Sequence, residues 1–235
     1  MGGGMNATLA SATTSSPARG LRSVTLAGPA GRLEALLNSG SPRASAAALV
    51  CHPHPLAGGN LHNKVVYHAM KAMNDPAHGL EWPVLRFNFR GVGLSEGEYD
   101  GGVETGDVLA ALDWLAKEFH LPIVAAGYSF GAVMTLRACC SKSRPDLRAL
   151  ISIGLPTRSA DPAFEYPYLS GATVPKLFLS GDRDEFAPAG ELREVAALAG
   201  KPNHLVLLPG AGHFFAGQFS AVEQTIACWL KEQLP

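Results

Sequence analysis

The stretch that decides the reading is IVAAGYSFGAVMTL, residues 123–136. An apolar run enters it, Ser129 sits between Gly127 and Gly131, and a second apolar run leaves it. The entering run reads as a buried strand and the leaving run as a helix apolar nearly all round. A serine lifted off a strand end at so sharp a reversal needs a strained backbone. The residues two before and two after it then come too close for side chains, so glycine fits at both places. Gly127-Tyr128-Ser129-Phe130-Gly131 is therefore a G-x-S-x-G elbow in strand–turn–helix context, the setting of a nucleophilic serine. A glycine-rich turn without chemistry is the alternative. The following helix points unpaired N–H groups at the serine, and the Phe130 N–H is placed to stabilise an oxyanion.

A serine hydroxyl is a poor nucleophile until a base takes its proton. In an open α/β sheet the base and its supporting carboxylate come from loops at the C-terminal ends of later strands. KLFLSGDRDEFAP, residues 176–188, offers Asp182, Asp184 and Glu185 past one such strand. HLVLLPGAGHFF, residues 204–215, offers His213 past the next. In G-D-R-D, Asp182 lies close to the strand end, where it can bond nearby backbone, while Asp184 reaches further into the loop. Asp184 is the preferred acid, with Asp182 and Glu185 as alternatives. The chain order is Ser129, Asp184, His213.

Working outward, strands alternate with helices. Apolar runs at ASAAALVCH, EWPVLRFNFRG, LRALISIG and VPKLFLSG read as strands. LHNKVVYHAMKAMND, VETGDVLAALDWLAKEFH, AGELREVAALAG and FSAVEQTIACWLKEQL read as helices. The rhythm implies βαβ units and a doubly wound, mostly parallel sheet with helices on both faces. LRSVTLAGPAGRLEALLNSG, residues 21–40, reads as two strands around a Gly-Pro turn, antiparallel at one edge. Residues 21–235 form one expected domain. Residues 1–20, rich in Gly, Ser and Thr, read as a flexible tail; an organelle transit peptide is the alternative, and the tail lacks the apolar core of a secretory signal.

Hydrophobic residues make up 47% and charged residues 17% of the 235-residue chain, which is a globular composition. The formal net charge is −1 and there is no basic stripe, so neither a nucleic-acid nor an anionic-membrane partner is expected. No apolar run reaches the ~18 residues that a membrane span needs. Four cysteines without a C-x-x-C pair fit a reduced, cytoplasmic setting. A monomer or homodimer is expected.

Together these residues resemble the α/β-hydrolase superfamily from about residue 21 onward. A second signature, CHPHPLAGGNLHNKVV at 51–66 with RFNFRGVGLSEGEYDGG at 86–102, narrows the resemblance. It is similar to a branch of small, nearly lidless hydrolases akin to dienelactone hydrolases and bacterial serine esterases. Dienelactone hydrolases carry cysteine at the nucleophile, whereas this chain has Ser129. The resemblance implies an α/β-hydrolase fold of about seven to eight strands with a minimal cap. It also implies a second oxyanion donor in the 53–56 loop. Pro53 and Pro55 have no N–H, so the candidates are His54 and, as alternative, Leu56.

Other residues read more plainly. His52 and His54 form an H-x-H pair, but no metal-ligand set follows, so His52 is a structural histidine beneath the loop and no metal is expected. Arg90 pins the loop after its strand, and Ser95 is a turn residue. Cys139 and Cys140 belong to the core. Leu56, Tyr128, Phe186 and Phe214 are candidate substrate-binding residues. Phe164, Tyr166, Tyr168 and Phe215 either line an acyl pocket with them or simply pack. The expected activity is hydrolysis of small or short-chain carboxylic esters through an acyl-enzyme, without a cofactor. Thioesters, and short peptides or amides, are rival substrates, and a non-catalytic binding protein of the same fold is the alternative from another class.

Overall fold

The computed structural model describes residues 20–157 and 165–234. The expected flexible tail lies outside these residues except for Gly20, and so does Phe164. Eight strands form one sheet: β1 (Leu21–Gly28), β2 (Gly31–Asn38), β3 (Ala47–Cys51), β4 (Val84–Phe87), β5 (Ile123–Tyr128), β6 (Leu147–Ile153), β7 (Lys176–Gly181) and β8 (Asn203–Leu208). Their spatial order is β1-β2-β4-β3-β5-β6-β7-β8. β1 pairs antiparallel with β2, and β2 antiparallel with β4; every later pairing is parallel. The Gly-Pro turn accounts for the antiparallel edge, because two residues can join strands only by reversing them.

Among the described residues there are five α-helices: α1 (Lys64–Asn74), α2 (Thr105–Phe119), α3 (Phe130–Cys140), α4 (Ala189–Leu198) and α5 (Phe219–Gln233). The period-two alternation of the strands divides the core in two. Leu49 and Cys51 of β3 and Ala125 of β5 face α2, α3 and α4. Val50 of β3 and Ala126 and Tyr128 of β5 face α1 and α5. Central strands are covered on both faces, and β3, β4, β5 and β7 are buried along their whole length. Ten of the eleven α3 residues are buried, Cys139 and Cys140 among them.

The topology positions the site. The chain runs from β3 outward to β4 and then returns to place β5 on the other side of β3. The crevice at such a reversal, beyond the carboxyl ends of the strands, is where open α/β sheets bind ligands. The loops leaving β3, β5, β6, β7 and β8 all open there. The loop leaving β4 is anchored nearby. The Arg90 guanidinium donates to both oxygens of the fully buried Asp107 of α2, at 3.0 and 2.7 Å, and the Arg90 N–H donates to Asp107 at 3.1 Å. Ser95 closes that turn, donating to the Asn88 carbonyl at 2.7 Å and accepting from the Glu34 N–H at 2.9 Å.

Candidate active site

Ser129 sits at φ 53° and ψ −119°, a left-handed conformation that non-glycine residues rarely adopt. The geometry shows why its neighbours are glycines. A Cβ on Gly127 would lie 2.2 Å from the Gly131 carbonyl oxygen, and one on Gly131 would lie 2.5 Å from the carbonyl oxygens of Cys51 and His52. The Ser129 N–H is tied to the Ile153 carbonyl at 2.9 Å, which locks the elbow onto β6. Phe130 opens α3, and its N–H has no acceptor among the described residues. That is the ordinary condition of a first-turn amide.

His213, 5% exposed, arrives from the loop after β8. Its Nε2 is 3.1 Å from the Ser129 Oγ, and its Nδ1 is 2.9 and 3.1 Å from the two oxygens of Asp184. Asp184 follows β7 and is 3% exposed. It also accepts from the Ser180 hydroxyl at 2.8 Å and from the N–H groups of Phe186 and Ala187 at 2.9 and 3.1 Å. Burial, the largest influence, raises its pKa. The hydrogen bond and charge of His213, with the hydrogen bonds from Ser180 and Phe186, outweigh burial and hold the carboxyl below the usual aspartate range. With Asp184 ionised, the proton on the ring belongs on Nδ1, which leaves the Nε2 lone pair directed at Ser129.

The other two acids do different things. Asp182 accepts from the Gly210 N–H at 2.7 Å, bracing the root of the loop that carries His213. Glu185 is exposed. The Tyr128 hydroxyl donates to the His213 carbonyl at 3.2 Å and holds the same loop from beneath. Ser180 and the hydroxyl of Tyr128 are parts of the site that the sequence did not single out in these roles. The available signal for Ser180 was a hydroxyl near the C-terminal end of a buried strand.

The loop after β3 forms the facing wall. His52 is fully buried; its Nε2 accepts from the Phe89 N–H at 3.0 Å and its Nδ1 donates to the Pro53 carbonyl at 2.6 Å. Burial lowers its pKa to about 4, so it is neutral at neutral pH. The His54 Nδ1 accepts from the Leu56 N–H at 3.2 Å, which assigns the ring proton to Nε2, 3.0 Å from the Tyr99 hydroxyl. Among the described residues no group of three or more His, Cys, Asp or Glu side chains is placed to hold a metal ion.

A cleft of about 430 Å³ lies over Ser129, within the range of small-molecule sites. Pro53, His54, Ala57, Gly58, Gly59 and Asn63 line it on the β3 side; Pro156, Phe186, His213 and Phe214 line it on the other. Tyr128, Ser129 and Phe130 form its floor. Phe186 and Phe214 flank His213, with ring centroids 4.7 and 5.4 Å away, and both stay largely exposed. Leu56 is corrected: its side chain is 77% exposed and turned out of the cleft, because the turn over Pro55–Ala57 points it to solvent. Three aromatic candidates pack instead of lining the cleft. Phe215 is buried near Tyr128, the Tyr166 hydroxyl donates to the Pro156 carbonyl, and Tyr168 lies beneath the Arg137 guanidinium. Among the described residues no helix is long and apolar enough to cross a membrane.

No family model matches the sequence. An uncharacterised protein of Rickettsia prowazekii is 35% identical over 196 residues, 80% of this chain and 79% of that one. An α/β serine hydrolase homologue from Coxiella burnetii is 32% identical and superposes with a TM-score of 0.79 over 89% of this chain and 97% of that one. The Xanthomonas campestris protein XC6422, a member of the α/β serine hydrolases without a lid, is 31% identical with a TM-score of 0.78 over 92% and 95% of the two chains. At 32% identity over 89% of this chain and 97% of the Coxiella burnetii homologue, the chain belongs to the α/β serine hydrolase family.

Proposed function

We propose that this protein hydrolyses small carboxylic esters through an acyl-enzyme formed on Ser129. The observation that carries the reading is the continuous hydrogen-bonded chain from Asp184 through His213 to a serine held at a strained elbow. In this mechanism the His213 Nε2 takes the Ser129 proton as Oγ attacks the acyl carbon. Asp184 keeps the imidazole in the working tautomer and stabilises its cation. His213 then protonates the leaving alkoxide. Water deprotonated by His213 attacks the acyl-enzyme, and Ser129 leaves with the proton returned to it.

The oxyanion of each tetrahedral intermediate is received by backbone N–H groups. Phe130 supplies one from the first turn of α3. In the 53–56 loop two residues are prolines, and the Leu56 N–H donates to the His54 ring, which favours the His54 N–H as the second donor over that of Leu56. Such a donor is worth roughly 10²–10³ in rate. The mechanism uses side chains and backbone dipoles and calls on no cofactor. A small-molecule ester is the partner, and a cytoplasmic monomer or homodimer remains the expectation.

The test is covalent. A fluorophosphonate probe should label the wild-type protein at Ser129, with the adduct located by peptide mass spectrometry, and should not label Ser129→Ala. A panel of esters and thioesters then separates the acyl groups and leaving groups. A folded protein that takes no label and cleaves no member of the panel would be a binding protein on a hydrolase fold.

A further inference from the structure

We propose that Asn63 is a specificity-determining residue whose side-chain NH₂ receives a hydrogen-bond acceptor oxygen on the substrate, an inference that rests on the hydrolase reading above. The cleft is two-sided because of the sheet order. β5, which carries Ser129, lies between β3 on one side and β6, β7 and β8 on the other. The loops after β6, β7 and β8 contribute Pro156, Phe186 and Phe214, an apolar shelf with no side-chain donor of its own. The loop after β3 contributes the opposite wall, and there nearly every polar group is already committed.

The N–H groups of Ala57, Gly58 and Gly59 donate to carbonyls within the loop, at 3.1, 3.0 and 3.0 Å. Both ring nitrogens of His54 are engaged, by the Leu56 N–H and the Tyr99 hydroxyl. On the floor, the Tyr128 hydroxyl is committed to the His213 carbonyl. Asn63 differs. Its N–H donates to Asn60, its carbonyl accepts from Tyr67, and its Oδ1 caps α1 by accepting from the N–H groups of Val65 and Val66 at 2.9 and 3.4 Å. The cap fixes the amide's orientation: a flip would set NH₂ against two N–H donors. What remains is Nδ2, which has no partner among the described residues, on a residue that lines the cleft. An amide nitrogen only donates. The matching substrate group is a carbonyl or ether oxygen beyond the scissile ester, lodged on the β3 side while an apolar group occupies the Phe186–Phe214 shelf.

The acceptor belongs either to the acyl part or to the alcohol part, and paired esters of matched length separate the two. For the acyl part, kcat/KM is measured for p-nitrophenyl 4-oxopentanoate and p-nitrophenyl pentanoate. For the alcohol part, it is measured for 2-methoxyethyl and butyl pentanoate. Each value is divided by the ester's hydroxide-catalysed rate, which removes intrinsic reactivity. One neutral hydrogen bond should favour the acceptor-bearing ester roughly threefold to tenfold in one of the pairs.

Asn63→Asp is the decisive variant. It keeps the capping oxygen, so α1 should form, and replaces the donor with a carboxylate oxygen. The preference should fall to one or below, with a Tm close to wild type. Asn63→Ser, which retains a cap acceptor and shortens the side chain, should lose the preference as well. A wild-type ratio near one in both pairs, or an unchanged preference in both variants, overturns the role of Asn63 and leaves the hydrolase reading standing. Failure of the folded wild type to cleave any of the four esters or to take the fluorophosphonate label overturns both.

Discussion

Among the described residues two buried carboxylates gather histidines around them, and one of the two clusters faces a nucleophile. In the cleft, Asp184 holds His213, and His213 meets Ser129 at 3.1 Å. Where α1 and the turn after it meet α5, Glu223 accepts from His68 and, at 2.9 Å, from the Nε2 of His78, with the Lys71 ammonium 3.4 Å away. His68 is stacked flat on Phe219, ring centroids 4.5 Å apart. The two carboxylates share the same electrostatics. Burial is the largest influence on each and raises the pKa, and hydrogen bonds from histidine and other donors reverse it, so each lies below its usual range. The difference lies in the third partner. A strained serine beside an open cleft makes one cluster able to do chemistry; an aromatic ring and a lysine make the other a clasp between helices.

The largest effect expected from this contrast is on turnover. Ser129→Ala should lower kcat for an ester substrate by about 10⁴–10⁶-fold while the fold survives, because the members of such a triad act as a unit. A purified, folded variant that keeps a tenth of wild-type activity would falsify the nucleophile. Asp184→Asn comes next, with a loss of about 10³–10⁴-fold, since an amide can present its NH₂ to Nδ1 and favour the wrong tautomer. The matching change in the clasp, Glu223→Gln, should leave kcat/KM within about twofold. Equal losses from the two carboxylate changes would erase the distinction drawn between the clusters.

Stability should register the clasp change that turnover does not. Glu223→Gln removes charge-assisted hydrogen bonds worth about 1.5–3 kcal/mol. At about 2–4 °C per kcal/mol for a chain of this size, Tm should fall by roughly 3–12 °C. Asp182→Asn keeps an acceptor for Gly210 and should alter activity by less than about tenfold, against the thousandfold or more at Asp184. Calorimetry and steady-state kinetics on the three variants test both statements.

The smallest effect is the pH dependence of stability. The folded pKa values of Asp184 and Glu223 lie below their ordinary values of 3.8 and 4.5. Each therefore contributes stability that is fully present above its ordinary value and disappears as the pH falls through the lower, folded value. Wild-type Tm should drop as pH is taken from about 5 to 3, and Glu223→Gln should show a shallower drop. Equal slopes would mean that the clasp carboxylate is not held ionised by its histidines.

The elbow and the alternating strands and helices were legible in the sequence because they are local. Gly127, Ser129 and Gly131 crowd one another within five residues, and whether an apolar stretch repeats every two residues or every three to four is written along the chain itself. The sheet with its antiparallel edge could therefore be read in advance, as could the packed cysteines of α3 and the anchoring role of Arg90. Choices between near neighbours could not. Asp182 and Asp184 are two residues apart in one turn, and only the packing of β7 against β8 brings Gly210 to the first and His213 to the second. Leu56 looked like a wall of the cleft, but the tight turn after Pro55 sends it to solvent. The Glu223 clasp joins residues 145 and 155 positions apart, beyond the reach of any local pattern. By itself the sequence determined which strand ends in a strained serine and which residue types could serve it. The tertiary structure alone decided which carboxylate is buried against which histidine, because burial and hydrogen bonding are properties of the space between elements and not of the elements.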